Sequence, residues 1–260
     1  MKFVHSADGT QIAYEAAGSG PPVILVAGAF CDRRARASGT PLAALLQGVT
    51  AYSYDRRGRG DSTDTAPWAI EREVEDLAAL IAAAGGRASI YGMSSGAVLT
   101  LEAAARGLAL DKIALYEPPV AVKAEGRALP PGFAEELAQL CAAGQNGDAA
   151  ALFLTRAVGV PEARVATMRA APMWPGLERI APTLPYDARL TADPTHALTL
   201  APRIDARTLV LCGGESPGWL REGLTALAHA LPNGAFQLLA GQTHDVAPEV
   251  LAPALSQFFG

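Results

Sequence analysis

The stretch Ser89-Ile90-Tyr91-Gly92-Met93-Ser94-Ser95-Gly96-Ala97-Val98-Leu99-Thr100 decides how the rest of the chain is read. Residues 88–92 form the short apolar run of a buried strand, and residues 95–106 have helical composition. Gly92-x-Ser94-x-Gly96 falls at the junction between them. A turn that abrupt leaves room only for glycine two residues either side of the serine, and its strain lifts the hydroxyl clear of the sheet, with a helix N-terminus aimed at the same spot. As a bare string the pattern is a weak signal, and a small-residue turn that packs a helix close to a strand explains it equally well. Its placement between strand and helix makes Ser94 a candidate nucleophile.

Outward from this junction, short aliphatic runs alternate with longer segments rich in Ala, Leu, Glu and Arg, the pattern of a parallel sheet covered by helices on both faces. Upstream, residues 22–27 form a continuous apolar run closed by Gly28, which predicts a strand buried on both faces. Residues 50–54, 112–116, 208–212 and 235–239 predict further strands; 68–84, 218–231 and 248–258 predict helices. The start of the chain differs: residues 2–6 and 11–15 flank Asp8 and Gly9, a turn signal that predicts an antiparallel hairpin. Between Pro118 and Pro202 the alternation lapses. Residues 131–143, 148–158 and 161–171 have helical composition, and the prolines at 172, 175, 182, 185 and 194 are expected to break up the chain beyond residue 171. Such a segment cannot extend a parallel sheet, so it reads as an inserted helical cap. The expected division is a core of residues 1–118 and 202–260 with a cap at 119–201, in the α/β class.

Of the 260 residues, 50% are hydrophobic and 18% charged, enough apolar material for a sizeable core, which excludes disorder as the dominant state. The net charge of -5 carries no long run of one sign beyond the cluster at 55–59, so no basic face for nucleic acid is expected. No segment approaches eighteen consecutive apolar residues, and the opening MKFVHSADG turns polar before a signal-like region forms. A cytoplasmic protein without membrane contact is therefore expected. Cys31, Cys141 and Cys212 make no CxxC pair, and none of His5, His196, His229 and His244 lies three or four residues from another. Neither a disulfide framework, a metal site nor a cofactor is implied, and any histidine chemistry should be proton transfer. The partner expected is a small-molecule substrate; a homodimer is compatible with this composition and nothing in it requires one.

At this point the chain resembles the α/β-hydrolase fold family over nearly its whole length. Four stretches carry the resemblance in order: residues 23–30 (VILVAGAF), 54–62 (YDRRGRGDS), 92–96 (GMSSG) and 241–246 (GQTHDV). The resemblance implies an α/β-hydrolase fold with Ser94 as nucleophile and His244, between the last strand and the last helix, as the base that takes the hydroxyl proton. It also implies an oxyanion hole made by the backbone N–H groups of Ser95 and Ala29. Where the family commonly has His-Gly this chain has Ala27-Gly28, which makes the Phe30 N–H an alternative donor.

The family's acid usually lies in a Gly-x-x-Asp turn after the penultimate strand. Here that turn is Gly213-Gly214-Glu215-Ser216, with serine where aspartate is expected. A minority of the family places the acid at the end of the preceding core strand, where this chain has Glu117, the acid favoured here. Glu215, Asp245 and the absence of any acid remain alternatives. The arginines of 55–60 suit a phosphate site, but a structural loop whose charges pair locally behind the site is preferred. Phe30, Met168, Met173, Trp174 and Trp219 are candidates to line an apolar cleft, although large side chains in a cap often form its own core. The chemistry implied is hydrolysis of an ester, thioester or lactone through an acyl-enzyme. Two alternatives stand beside it: a lyase or cyclase using Ser94 and His244 as an acid/base pair, and a binding protein that retains the pocket.

Overall fold

The computed structural model describes residues 1–260 and contains one sheet of eight strands. In chain order these are β1 (Lys2–His5), β2 (Gln11–Gly18), β3 (Pro22–Val26), β4 (Thr50–Tyr54), β5 (Ala88–Met93), β6 (Leu110–Tyr116), β7 (Arg207–Gly213) and β8 (Gly234–Leu239). Their spatial order is β1-β2-β4-β3-β5-β6-β7-β8. The opening hairpin is antiparallel, as is the pairing of β2 with β4, and every pairing from β4 to β8 is parallel. Asp8 fixes the hairpin turn: its Oδ1 accepts the Thr10 N–H at 3.0 Å, and Gly9 supplies the positive φ of 85°.

The helices are α1 (Thr40–Ala43), α2 (Ile70–Ala83), α3 (Ser95–Ala105), α4 (Phe133–Ala142), α5 (Asn146–Phe153), α6 (Glu162–Arg169), α7 (Trp174–Ile180), α8 (Leu184–Leu190), α9 (His196–Leu200), α10 (Gly218–Ala230) and α11 (Pro248–Phe259). Alternate residues of the central strands divide the core. Ile24 and Val26 face the layer built from α2, α3, α9 and α10, while Val23 and Leu25 face the layer built from α1 and α11. Burying both faces is why β3 reads as an unbroken apolar run. No helix is long and apolar enough to cross a membrane.

Between β6 and β7 the chain forms helices and no strand. Phe133, Leu137, Phe153, Trp174 and Leu184 assemble a separate apolar cluster there, and Ala29 and Phe30 of the sheet layer pack against it. The chain beyond residue 171 is broken into short helical pieces, and the prolines at 175, 182 and 185 each sit in the first turn of one, because proline there removes an N–H that would be unpaired anyway and presets a helical φ. The packing boundary comes earlier than residue 201: Leu190, Ala197, Leu200 and Ala201 fill the main core, where α9 packs on α3.

Candidate active site

Ser94 is held by the strand before it and the helix after it. It has φ 55° and ψ −124°, and its N–H donates to the Tyr116 carbonyl at 2.9 Å. The flanking glycines are required by contact. A Cβ on Gly92 would lie 2.5 Å from Thr100 Oγ1, and one on Gly96 would lie 2.4 Å from the Val26 carbonyl. Only three non-glycine residues in the chain have positive φ: Phe30, Ser94 and Glu117. Each such residue stores roughly 1–3 kcal/mol of strain, which persists only where the surroundings enforce it. All three lie just beyond the ends of adjacent central strands. The Ser94 hydroxyl makes no hydrogen bond within the protein, and bonds of this kind commonly close only around substrate.

The parallel register sets Glu117 beside Ser94. Met93 pairs with Tyr116, so the residues after them leave neighbouring strands at the same level. The Glu117 side chain is fully buried and both its oxygens are bonded. Its Oε1 accepts the Gly213 N–H at 2.8 Å and the Ser216 hydroxyl at 2.5 Å, with the Cys212 thiol at 3.6 Å; its Oε2 lies 2.8 Å from His244 Nδ1. Burial alone would raise the Glu117 pKa, but the bonds from His244, Ser216 and Gly213 outweigh it and hold the carboxyl below its usual range. An ionised carboxylate only accepts, so Nδ1 carries the proton and Nε2 is left as the basic nitrogen. The imidazole keeps 51% of its surface exposed. Its loop is anchored from the same strand end, where the buried Tyr116 hydroxyl donates to the Thr243 carbonyl. Of the acids weighed from the sequence, Glu117 meets the ring; Glu215 and Asp245 are solvent-exposed. Burial at the same place, together with the Glu117 charge, pushes the Cys212 thiol up to about 12.

The N–H groups of Ala29, Phe30 and Ser95 donate to no protein acceptor. Ser95 opens α3, where the first N–H groups have no intrahelical partner and the helix dipole favours negative charge. The Phe30 ring stands edge-on to Phe153 of α5, with centroids 5.5 Å apart, so the loop after β3 is clasped between sheet and cap.

The arginine loop does not pair locally as expected. Arg57 bridges Asp8 in the hairpin and Asp76 in α2, while Arg56 joins Glu73 in α2 to Asp187 in α8. Arg59 reaches the same Asp187, 128 residues along the chain. Arg56, Arg57, Arg59 and Asp187 are all buried, where a charge persists only with partners. No motif in the sequence singles out Asp187. The available signal is indirect: three closely spaced arginines in a buried loop require carboxylates from elsewhere.

Two of the expected cleft residues lie elsewhere. Trp174 is 5% exposed inside the cap's own cluster, its Nε1–H donating to Glu178 at 2.8 Å. Trp219 packs on the main core with the Arg127 guanidinium 4.0 Å above its ring. Met168 is half-buried against the cap cluster. Phe30 and Met173 both line an open cleft of about 330 Å³ between the loop after β3 and α7, whose wall also includes Leu177 and Ile180 and the charged Asp32, Arg34 and Arg179; Ser94, Glu117 and His244 do not line it.

A family model described as the alpha/beta hydrolase family matches residues 23–254. The solved structure of an alpha/beta hydrolase from Sphaerobacter thermophilus is 50% identical over 100% of both chains, with a TM-score of 0.91. Two more distant structures share the fold. A bromoperoxidase from Bacillus anthracis is 19% identical over 99% of each chain, with a TM-score of 0.72. The enol-lactonase from Burkholderia xenovorans is 20% identical over 98% of this chain and 97% of its own, with a TM-score of 0.69. None of the curated proteins compared with the chain matches it. With the family model spanning most of the sequence and a half-identical structure matching it end to end, the chain belongs to the alpha/beta hydrolase family.

Proposed function

We propose that the protein is a serine hydrolase that cleaves an ester, thioester or lactone bond of a small, largely apolar substrate through an acyl-enzyme. The observation that carries this reading is the 2.8 Å contact between the buried Glu117 carboxylate and His244 Nδ1, made beside the strained turn that presents Ser94. Ser94 Oγ attacks the carbonyl carbon as His244 Nε2 takes its proton, and Glu117 stabilises the imidazolium that forms. The N–H groups of Ala29 and Ser95 receive the tetrahedral oxyanion. Collapse breaks the bond to the leaving oxygen or sulfur, which takes the proton from His244; in a lactone the leaving alkoxide stays tethered to the acyl chain. Water, deprotonated by His244, then attacks the acyl-enzyme and releases the acid with Ser94 restored. Phe30 and Met173 supply the apolar wall.

A lyase or cyclase reading draws its force from the serine that stands where the family's acid is expected. Glu117 reaches His244 from the neighbouring strand, which supports the hydrolytic reading. The test is labelling by a fluorophosphonate, because only an activated serine is phosphonylated. Labelling at Ser94 that disappears in Ser94→Ala and weakens in His244→Ala is expected; a chain that takes up no label at Ser94 overturns the reading.

A further inference from the structure

The peptide unit between Gly28 and Ala29 is gripped through its carbonyl oxygen. Its carbonyl accepts a 2.7 Å hydrogen bond from Arg59 Nη1, which also reaches the Cys31 carbonyl at 3.1 Å. A peptide is planar and trans, so fixing the direction of a C=O fixes the opposite direction of the N–H across the same bond. Arg59 therefore aims the Ala29 N–H. Arg59 is in turn held by two residues of the cap segment, Thr183 Oγ1 at 3.0 Å and Asp187 Oδ2 at 2.6 Å. The other oxygen of Asp187 accepts the Ser95 hydroxyl at 2.7 Å and Arg56 Nη1 at 2.7 Å. Both N–H groups of the oxyanion hole thus trace back to one buried carboxylate on α8.

We propose that Asp187 is a positioning residue for the oxyanion hole, setting the Ala29 N–H through Arg59 and the first turn of α3 through Ser95, so that the hole is in register only when α8 is seated. The proposal rests on the serine-hydrolase reading above. It differs from a purely structural role for the ion cluster, which would tie the cap down without touching the chemical step.

Three variants separate the two. Arg59→Lys keeps the charge, but its single nitrogen cannot replace the three guanidinium nitrogens that separately reach Thr183, the Gly28 and Cys31 carbonyls, and Asp187. With a p-nitrophenyl ester, Arg59→Lys and Asp187→Asn are each expected to lower kcat about 10²-fold while KM moves by less than about threefold. Both should weaken a trifluoromethyl ketone, whose hemiketal oxyanion occupies the hole, by the same factor as kcat/KM. Ser95→Ala removes one hydrogen bond and leaves the ion pairs whole, so it should fold normally and lose about tenfold in kcat. Amide hydrogen exchange across residues 27–32 reads the same geometry without turnover and should accelerate in Arg59→Lys and Asp187→Asn. If wild-type protein takes no fluorophosphonate at Ser94, the hydrolase reading fails and exchange at 27–32 decides the positioning role alone. Unchanged exchange there in folded Arg59→Lys overturns the proposal. So does a lowered Tm in Arg59→Lys and Ser95→Ala with wild-type kcat and ketone affinity, the signature of a mere tether.

Discussion

The hydroxyl of Ser216 donates a 2.5 Å hydrogen bond to the carboxylate of Glu117, 99 residues earlier in the chain. Serine thus stands in the turn after β7 where the family's acid is expected, and it binds the acid that reaches across from β6. The turn keeps its contact with the charge while giving up the charge itself. Glu117→Gln should lower ester turnover by roughly two to four orders of magnitude, because an amide neither fixes the imidazole tautomer nor stabilises imidazolium. Glu215→Gln, at an exposed position one residue before Ser216, should leave turnover unchanged. Steady-state kinetics of the two variants decide the assignment, and the reverse ranking would move the acid to Glu215.

Glu117 also links stability to pH. Its folded-state pKa lies below the ordinary glutamate value, despite burial, because of the bonds from His244, Ser216 and Gly213. A depressed carboxylate contributes stability that is present above the unfolded pKa of about 4.3 and lost as pH falls through the lower folded value. Thermal unfolding should place wild type above Glu117→Gln at about pH 6, with the gap narrowing below about pH 4. A gap that widens on acidification would contradict the ionised, fully bonded carboxylate.

The parts of the site readable from sequence are those whose constraint is local. Gly92, Ser94 and Gly96 declare themselves because the turn excludes any Cβ two residues from the serine. Glu117 is reached only through the resemblance, which implies an acid at the end of a core strand, because its partners Gly213, Ser216 and His244 lie 96, 99 and 127 residues away. Asp187 is not readable at all, since its partners Ser95, Arg56 and Arg59 lie 92, 131 and 128 residues away and no spacing in α8 marks it. The two tryptophans mislead for a different reason. A large side chain in an amphipathic segment satisfies a cap core, as Trp174 does, or packs on the main core beneath a guanidinium, as Trp219 does, as readily as a substrate wall.

Ser94→Ala should remove at least about 10³-fold of the turnover of an activated ester, the usual cost of losing the nucleophile. The substitution deletes one oxygen atom that has no hydrogen bond in the folded protein, and alanine meets the same backbone strain as serine at φ 55°. The Tm should therefore stay close to that of wild type. Parallel kinetics and thermal melts check both halves, and wild-type turnover in Ser94→Ala would exclude this serine as nucleophile.

The cleft between Phe30 and Met173 should set acyl-chain preference. Phe30 directly follows the expected donor Ala29, and Met173 faces it from the start of α7 with 53% of its surface exposed. Medium-length acyl esters should be turned over faster than acetates, and Met173→Ala should flatten the series by about 1–3 kcal/mol in specificity, the worth of a few methylenes in an apolar pocket. Trp219→Ala, on the main core under Arg127, should leave the series unaltered. A preference that tracks Trp219 instead of Met173 would relocate the pocket.

Arg57 provides the contrast to Arg59, two residues away in the same loop. Its guanidinium makes a bidentate pair with Asp76 at 2.8 Å to each oxygen, bonds Asp8 at 2.9 Å and donates to the Arg72 carbonyl at 3.0 Å. Those contacts join the opening hairpin to α2 and none reaches the loop after β3, Ser95 or the cap. Removing the cation leaves Asp76 buried without its partner, a change that typically costs about 3–5 kcal/mol. For a chain of this size each kcal/mol lowers Tm by about 2–4 °C, so Arg57→Ala should melt roughly 6–20 °C below wild type. The fraction that remains folded should keep wild-type kcat and KM, because no shared carboxylate connects Arg57 to the oxyanion donors. Thermal unfolding and active-site titration of the same preparation measure the two quantities together. A fall in kcat per titrated site would mean that the whole arginine loop, and not the Arg59 branch alone, orders the hole.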